Sequence, residues 1–493
     1  MSQSDIETLR TQPVAVFDHL IDGQSVPASD GQRMTVISPL DGRPLTSCAR
    51  GTIADADAAI TAARRAFDDG RWSGLAPAAR KKVLLKWADL IEAQALDLAV
   101  LGVRENGTEI GMALKAEPLS AAATLRYYAE AIDKLPGEIA PTDPAFLGLV
   151  HREPVGVVAA IVPWNFPLMI GAWKFAPALA AGCTMVLKPA ETASLTLLRV
   201  AQLAVEAGMP PGVFNVVTGA GSVVGARLAE SMDVDVLVFT GSGATGRRLL
   251  EAAARSNLKR VYLELGGKSP NIIFADAPDL DEAAKVSAQG IFRNSGQVCI
   301  AGSRILVERS IHAAFVEKLA AQAAEIRVGD PLDSQTQAGA VNSERQLRQN
   351  LEFVAEARAA GRTVIGGARL REETGGYYMA PAIIADAQPD DRVFRDEVFG
   401  PVVTVTAFDT EAEAVALAND TTFGLAAAVW TSNLSRAHRM VRKIRAGLVH
   451  VNTYGGSDLT VPLGGVKQSG NGHDKSLHAF DKYLDLKTAW VKL

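Results

Sequence analysis

The sequence predicts an α/β protein made of two open α/β domains with parallel sheets, and three observations carry that prediction. From Val155 onward, short β-rich runs alternate with helical stretches, the pattern of parallel strands joined by helices. A second alternating region of similar size begins near Lys268. Ahead of both, residues 53–133 are rich in alanine and repeat apolar residues at the helical spacing.

In chain order, Ala54–Phe67 and Lys81–Val100 read as helices. Between Glu153 and Lys174 the chain carries no charge over a length that would cross a bilayer. Pro163, Asn165 and Pro167 interrupt it, and proline removes backbone donors and breaks helices. The stretch therefore reads as a buried strand, Val155–Val162, a turn, and a buried helix, Leu168–Ala181, with no membrane span. Further strands are expected at Thr184–Leu187, Val213–Val217, Val234–Phe239 and Val261–Leu265, with helices at Leu195–Ala207 and Arg247–Ser256. In the second region, strands are expected at Arg304–Val307, Thr363–Gly366, Val402–Ala407, Ala426–Thr431 and Leu448–Asn452. The tail Lys482–Leu493 alternates, as a terminal strand does when it closes a sheet or pairs with another chain.

The 493 residues amount to about three domains or two large ones. With 48% apolar and 21% charged residues, the chain has globular composition. Fifty basic against 55 acidic residues, without a run of either, argue against a partner held by nucleic-acid phosphates. Three cysteines, Cys48, Cys183 and Cys299, make neither a disulfide framework nor a zinc set and point to a reducing, cytoplasmic location. Met1–Pro13 is polar and lacks the apolar core of a signal peptide. Seven scattered histidines, without H-E-x-x-H, argue against a metal enzyme.

Gly241-Ser242-Gly243-Ala244-Thr245-Gly246 follows an expected strand and precedes an expected helix, so it fits a phosphate resting on a helix N-terminus. Glu264, about twenty residues on, would then hold a ribose, as in a Rossmann dehydrogenase. Gly219-Ala220-Gly221-Ser222 is a second such turn. Tight strand–helix turns need glycine for backbone reasons alone, so either turn also fits a purely structural reading.

Cys299 follows Asn294-Ser295-Gly296-Gln297-Val298, a turn-forming stretch. A thiol at a turn or helix start sees backbone N–H dipoles that favour thiolate; a lone cysteine is equally a small buried hydrophobe. Cys48 and Cys183 lack such a setting and read as packing residues. Glu264 ends an apolar strand between Leu263 and Leu265, which should raise its pKa toward the range of a general base. A structural ion pair is the alternative.

These residues resemble a family. Leu263-Glu264-Leu265-Gly266-Gly267-Lys268-Ser269 and Gly296-Gln297-Val298-Cys299 are similar to the two signatures of the NAD(P)-dependent aldehyde dehydrogenases. Pro163-Trp164-Asn165-Phe166-Pro167, Lys188-Pro189-Ala190-Glu191, Phe239-Thr240-Gly241-Ser242, Glu397-Val398-Phe399-Gly400-Pro401 and Gly464-Gly465-Val466-Lys467-Gln468-Ser469-Gly470 match further family motifs in order. The resemblance spans nearly the whole chain. From Val461 to Trp490 it is strongest to the bacterial γ-glutamyl-γ-aminobutyraldehyde dehydrogenases.

The resemblance implies the aldehyde dehydrogenase fold: residues 1–137 and 157–267 as an NAD-binding domain, 268–467 as a catalytic domain, and 138–156 with 468–493 as oligomerisation arm and tail. It implies a homo-oligomer, dimer or tetramer, whose β arm comes from about Pro141–Glu153 and Lys482–Leu493. It implies oxidation of an aldehyde through a Cys299 thiohemiacetal and thioester, with Glu264 activating the hydrolytic water. Asn165 and the Cys299 N–H would form the oxyanion hole, and Lys174 with Asp474 would make either a proton relay or a salt bridge. For the cofactor, NAD with NADP tolerated, it replaces the Rossmann reading of Glu264. Lys188 and Glu191 would take the adenosine ribose, with Ala190, Gly221, Gly225, Ile161 and Val162 nearby. Ser242 and the N–H groups after Gly241 would face the pyrophosphate, Glu397 would hold the nicotinamide ribose and Phe399 would pack beside the ring, with Pro163, Trp164, Phe239, Thr240, Gly241, Thr245, Leu265 and Gly266 as further cofactor-binding residues.

By family position, Ser120, Phe166, Met169, Trp173, Val298, Ile300 and Leu463 would line a substrate tunnel, with Glu117 and Asp458 near its mouth. Two acids there would suit a cationic tail, as in aminoaldehydes, γ-glutamylaminobutanal or guanidinobutanal; solvated surface acids are the plain alternative. Gly243 stands where many relatives have Thr, and Leu463 where Phe is common. Other functions stay open on sequence: a broad-specificity aliphatic or aromatic aldehyde dehydrogenase, a Rossmann alcohol or hydroxy-acid dehydrogenase, a cysteine hydrolase without NAD, and a non-catalytic binding protein.

Overall fold

Val157–Ile161 is apolar at every position, and such a strand is stable where both sheet faces are covered. In the computed structural model, which describes residues 2–493, it forms the centre of a seven-stranded sheet. The order is Arg260–Glu264, Val236–Thr240, Val157–Ile161, Thr184–Lys188, Phe214–Val216, His19–Ile21, Gln24–Val26. The first five strands are parallel and the last two antiparallel. A second seven-stranded sheet runs Val364–Gly366, Ala382–Ile384, Val402–Phe408, Arg304–Glu308, Pro270–Ile273, Ala426–Trp430, Leu448–Val451. Only its edge strand Val364–Gly366 is antiparallel.

The expected strands are present within a residue or two, and helix Pro167–Ala181 follows Val157–Ile161 with proline in its first turn and Gly182 (φ 105°) closing it. Among the described residues, no helix is long and apolar enough to cross a membrane. Two readings are corrected. The helix expected at Lys81–Val100 breaks at Gln94 (φ −105°, ψ 20°) into Pro77–Ala93 and Ala95–Asn106. The strands His19–Ile21, Gln24–Val26, Pro270–Ile273 and Ala382–Ile384 were not expected: they are three or four residues long, too short for a periodic signal.

Phe146–Pro154 pairs antiparallel with Glu138–Ala140 on one side and Leu484–Lys492 on the other. This three-stranded ribbon is the expected β arm, and Trp490 stacks on Phe146 across it at 5.2 Å.

The two large sheets are joined by residues 265–269, which leave strand Arg260–Glu264 and enter Pro270–Ile273. The crossing is clasped from the tail. The Leu265 N–H donates to the Ser469 carbonyl (2.8 Å), while Ser469 Oγ donates to the Gly266 carbonyl (2.7 Å) and accepts from the Gly424 N–H (2.9 Å). The glycine-rich motif at 464–470 thus has a mechanical role. Gly470 lies at φ 134°, and a Cβ there would collide with the Leu263 carbonyl. Gly470→Ala is therefore expected to lower the thermal midpoint by roughly 2–5 °C, the scale of one strained backbone position. An unchanged midpoint in a fluorescence melt would contradict this role for the clasp.

Candidate active site

Cys299 is delivered by a backbone reversal. Asn294 (φ 48°), Ser295 (φ 51°) and Gly296 (φ 73°) are all left-handed, a run that costs free energy unless its surroundings enforce it. Buried hydrogen bonds do so. Thr108 Oγ1 donates to Asn294 Oδ1 (2.8 Å), and the Asn294 N–H donates to Glu109 Oε1 (3.1 Å). Ser295 Oγ donates to the Gly339 carbonyl (2.8 Å), Gln297 Nε2 donates to the Asn294 carbonyl (3.0 Å), and the Asn342 N–H donates to Gln297 Oε1 (2.8 Å). The Cys299 carbonyl packs on Gly267, where a Cβ would come within 2.5 Å. Asn165 Nδ2 spends one N–H on the Gln297 carbonyl (2.9 Å), which fixes the amide beside Cys299.

Glu264 ends its strand facing the same space, and its buried Oε1 has no hydrogen-bond partner. Below it lies a buried ion group. Asp474 is held between Lys174 on Oδ2 and Lys482 on Oδ1, and all three side chains are almost fully buried. Burial pushes Asp474 up, but the two ammonium groups outweigh it and hold the carboxyl below its ordinary value. Burial, then Asp474, push Glu264 well above the carboxylate range, while Lys174 and Lys482 pull it down. The two lysines therefore set how readily Glu264 ionises.

Cys299 stands where two cavities meet. One, of about 310 Å³, is mostly apolar, and Ser120, Phe166, Met169, Trp173, Val298, Ile300 and Leu463 line it as expected. The other, of about 300 Å³, is bounded by Pro163, Trp164, Asn165, Thr240 to Ser242, Glu264 to Gly266, Glu397 and Phe399. Its wall suits a dinucleotide. Gly241 and Gly266 leave space that a Cβ would lose to Phe239 and Glu397, respectively. Ser242 caps helix Gly243–Arg255 through the Thr245 N–H (3.3 Å), presenting a helix N-terminus to a phosphate. Thr240 Oγ1 is buried without a partner. Glu397, raised to about 7 by burial, accepts from the Gly267 N–H (3.0 Å). Trp164 and Phe399 meet edge to face at 5.3 Å.

The remaining expected cofactor residues are off the wall of this cavity and cluster among themselves. Lys188 Nζ sits 3.4 Å from Glu191 Oε2, and the Gly221 N–H donates to Glu191 Oε1 (2.7 Å). Burial pushes Lys188 down; for Glu191, burial pushes up but Lys188 prevails and holds it low. Gly225 leaves room against Ile161 and Lys188, the Val162 N–H donates to the Lys188 carbonyl (3.1 Å), and the Ala190 carbonyl accepts from Ser194 Oγ (2.8 Å).

Three site expectations are corrected. Glu117 is not at the tunnel mouth: it is buried, and its Oε2 accepts the Leu168 and Met169 N–H groups (2.8 Å each), capping helix Pro167–Ala181. Asp458 lies between the cavity-lining Ser457 and Leu459, but it is exposed and its carboxylate accepts from Thr460 of its own loop instead of lining the cavity. Cys299 is not set as a thiolate: burial, then Glu397 and Glu264, push its thiol up to about 12 against the backbone N–H groups. Sequence reasoning also missed Gln346, Gln349, Arg293 and Lys475 on the walls. Gln346, from helix Glu344–Ala359, donates to the Val398 and Phe399 carbonyls (3.0 and 3.3 Å), a tie across fifty residues without a local motif.

Cys48 and Cys183 have no solvent exposure, so iodoacetamide is expected to label Cys299 and spare them. With the thiol raised to about 12, the rate should climb about tenfold per pH unit with no levelling up to pH 10, because only the thiolate reacts. Peptide mapping across pH checks this, and a plateau at neutral pH contradicts it.

Known proteins place this architecture. The sequence matches the aldehyde dehydrogenase family over residues 26–489. It is 48% identical to the NADP/NAD-dependent aldehyde dehydrogenase PuuC of Escherichia coli (strain K12), over 96% of this chain and 95% of that one. The crystal structure of γ-glutamyl-γ-aminobutyraldehyde dehydrogenase from Burkholderia cenocepacia J2315 superposes with a TM-score of 0.98 at 50% identity, over 100% of both chains. The indole-3-acetaldehyde dehydrogenase AldA of P. syringae, solved in complex with NAD+ and IAA, superposes with a TM-score of 0.98 at 48% identity, again over 100% of both. The chain belongs to the aldehyde dehydrogenase family.

Proposed function

We propose that this protein oxidises an aldehyde to a carboxylic acid with reduction of NAD+, with Cys299 as nucleophile and Glu264 as base. The observation that carries this reading is Cys299 at the junction of an apolar cavity and a polar, glycine-walled one. NAD+, when bound, accepts the hydride whose loss turns a thiohemiacetal into a thioester. Thr240 to Ser242, Leu265, Gly266, Glu397 and Phe399 would hold its nicotinamide and pyrophosphate, and Lys188, Glu191 and Gly221 its adenosine ribose. A ribose phosphate would meet the Glu191 carboxylate, which favours NAD over NADP.

The raised thiol needs a base. Glu264, raised by burial and Asp474 and pulled back by Lys174 and Lys482, takes the Cys299 proton, and the sulfur attacks the aldehyde carbon. The second N–H of the Asn165 amide and the Cys299 backbone N–H stabilise the oxyanion as it forms. After the thioester has formed, Glu264 releases the cysteine's proton to solvent and then takes one from water; the water oxygen attacks the acyl carbon, the C–S bond breaks to release the acid, and the departing sulfur takes the proton back from Glu264. The name of the Burkholderia relative supports an aminoaldehyde, in particular a γ-glutamyl-substituted one. Residues 1–137 and 157–267 would serve the cofactor and 268–467 the nucleophile. The arm formed by 138–156 and 468–493 leaves Ile139, Leu486 and Trp490 exposed, suited to a homodimer or tetramer. Three free cysteines suit a reducing cytoplasm.

Steady-state NADH production tests the reading. Cys299→Ala should abolish it, and Asn165→Ala should lower kcat by about 10²–10³, the effect of one oxyanion donor. If Cys299→Ala keeps NAD-linked activity, the assignment is wrong. Lys482→Met removes a cation that pulls Glu264 down, so the Glu264 pKa rises further. The carboxylate is then less populated at a given pH, and the rising limb of the kcat profile should move to higher pH. A profile that stays put, or moves to lower pH, contradicts the role given to the buried ion group.

A further inference from the structure

The apolar cavity contains two cations and no carboxylate. Arg293 and Lys475 are the only charged residues on its wall among those described. Neither has an anionic partner within ion-pair distance. The Arg293 guanidinium makes no hydrogen bond with any described residue, and its Nε is buried without a partner. The nearest carboxylate to influence it, Glu109, is engaged by the Asn294 N–H. Lys475 Nζ donates to the Ser457 carbonyl (2.7 Å) and Ser457 Oγ (2.8 Å), which leaves one N–H, and lies 5.8 Å above the Trp173 ring. Asp458, the exposed acid nearby, is turned onto Thr460.

Both cations line the cavity and adjoin the same loop. Arg293 Nη1 lies against Gly455, and Lys475 is tied to Ser457 of the same loop. Lys475 is held in place by the Leu463–Asp474 bridge, whose N–H groups donate both ways at 2.8 and 2.7 Å. Lys475 is buried and Arg293 half-buried, and unpaired cations on an apolar wall raise the free energy of the site until an anion reaches them. A guanidinium and an ammonium on one cavity wall can each donate to the oxygens of a carboxylate.

We propose that Arg293 and Lys475 form an anion subsite selecting aldehydes whose far end carries a carboxylate. This rests on the aldehyde-oxidising reading above and narrows its substrate class. An ω-oxo carboxylate satisfies the subsite most simply; a γ-glutamyl-substituted aminoaldehyde brings an α-carboxylate to it with an α-ammonium alongside, and a simple ω-amino or ω-guanidino aldehyde brings a third cation with no carboxylate and is disfavoured.

The test is kcat/KM with NAD+ for ω-oxo carboxylic acids, n-alkanals of equal chain length, and ω-amino aldehydes. The native enzyme should favour the oxo acids over the alkanals by on the order of ten- to a hundredfold, the worth of one or two charge-assisted hydrogen bonds. The ω-amino aldehydes should be poorest. In the Arg293→Gln, Lys475→Gln double variant the oxo acid to alkanal ratio should fall toward unity, mainly through KM. Arg293→Lys should retain part of the preference, and because the readout is a ratio, a general loss of activity cancels. Equal use of oxo acids and alkanals by the native enzyme, preference for ω-amino aldehydes, or a ratio unmoved in the double variant overturns the subsite while leaving aldehyde oxidation standing. Failure to oxidise any of the three classes, or activity surviving Cys299→Ala, sinks the underlying reading and the subsite with it.

Discussion

The fold turns on one short crossing of the chain. Residues 265–269 leave the edge strand of one sheet and enter the centre of the other, so every group that acts together has to be gathered around them. Glu264 stands at the start of the crossing, and Gly267 lies in its middle against the Cys299 carbonyl. Glu397 reaches it through the Gly267 N–H, and the tail clamps it through Ser469. The glycines are there for space: a side chain at Gly266 would displace Glu397, and one at Gly267 would displace the nucleophile loop.

Around that crossing the protein holds polar groups at a depth where each must be matched. The reversal before Cys299 stores backbone strain that isolated residues would release, and buried hydrogen bonds from Thr108, Gly339 and Asn342 hold it in place. Breaking one partner of a buried ion pair typically costs about 3–5 kcal/mol, because the other is left uncompensated. With Glu264 ionised, two lysines face two carboxylates, and the group of four is neutral. The same set that stabilises the core thus sets the readiness of Glu264 to hold or release a proton. Asp474 joins it to the substrate side, since its backbone bridges Leu463 on the cavity wall.

Much of this was legible in the sequence. The alternation of β-rich and helical runs places the strands, because a fully buried parallel strand is apolar along most of its length, as in Val157–Ile161. The motifs around Glu264, Cys299, Asn165 and Glu397 identify the site, because each packs a turn residue next to a reactive one. What failed to read was of two kinds. Strands of three or four residues carry no period, so His19–Ile21 and Ala382–Ile384 emerge only through their neighbours in the sheet. A side chain's direction is not written in its own neighbourhood. Glu117 was expected to face a ligand and instead caps a helix fifty residues away in sequence.

The sequence by itself determined the family, the order of the elements and the candidates for nucleophile and base, since those rest on local pattern and on motifs contiguous in the chain. Tertiary structure alone decided the electrostatics. It set the half-buried Cys299 within reach of the Glu397 and Glu264 charges, and burial and those charges raise the thiol where the local turn suggested a thiolate. It carried Lys482 from the tail to the Lys174–Asp474 pair. It turned the expected acids away from the tunnel and left Arg293 and Lys475, far apart in the chain, as the charges on its wall. The reason is physical: a charge acts through distance and burial, and both are fixed by packing between segments that no local stretch of sequence contains.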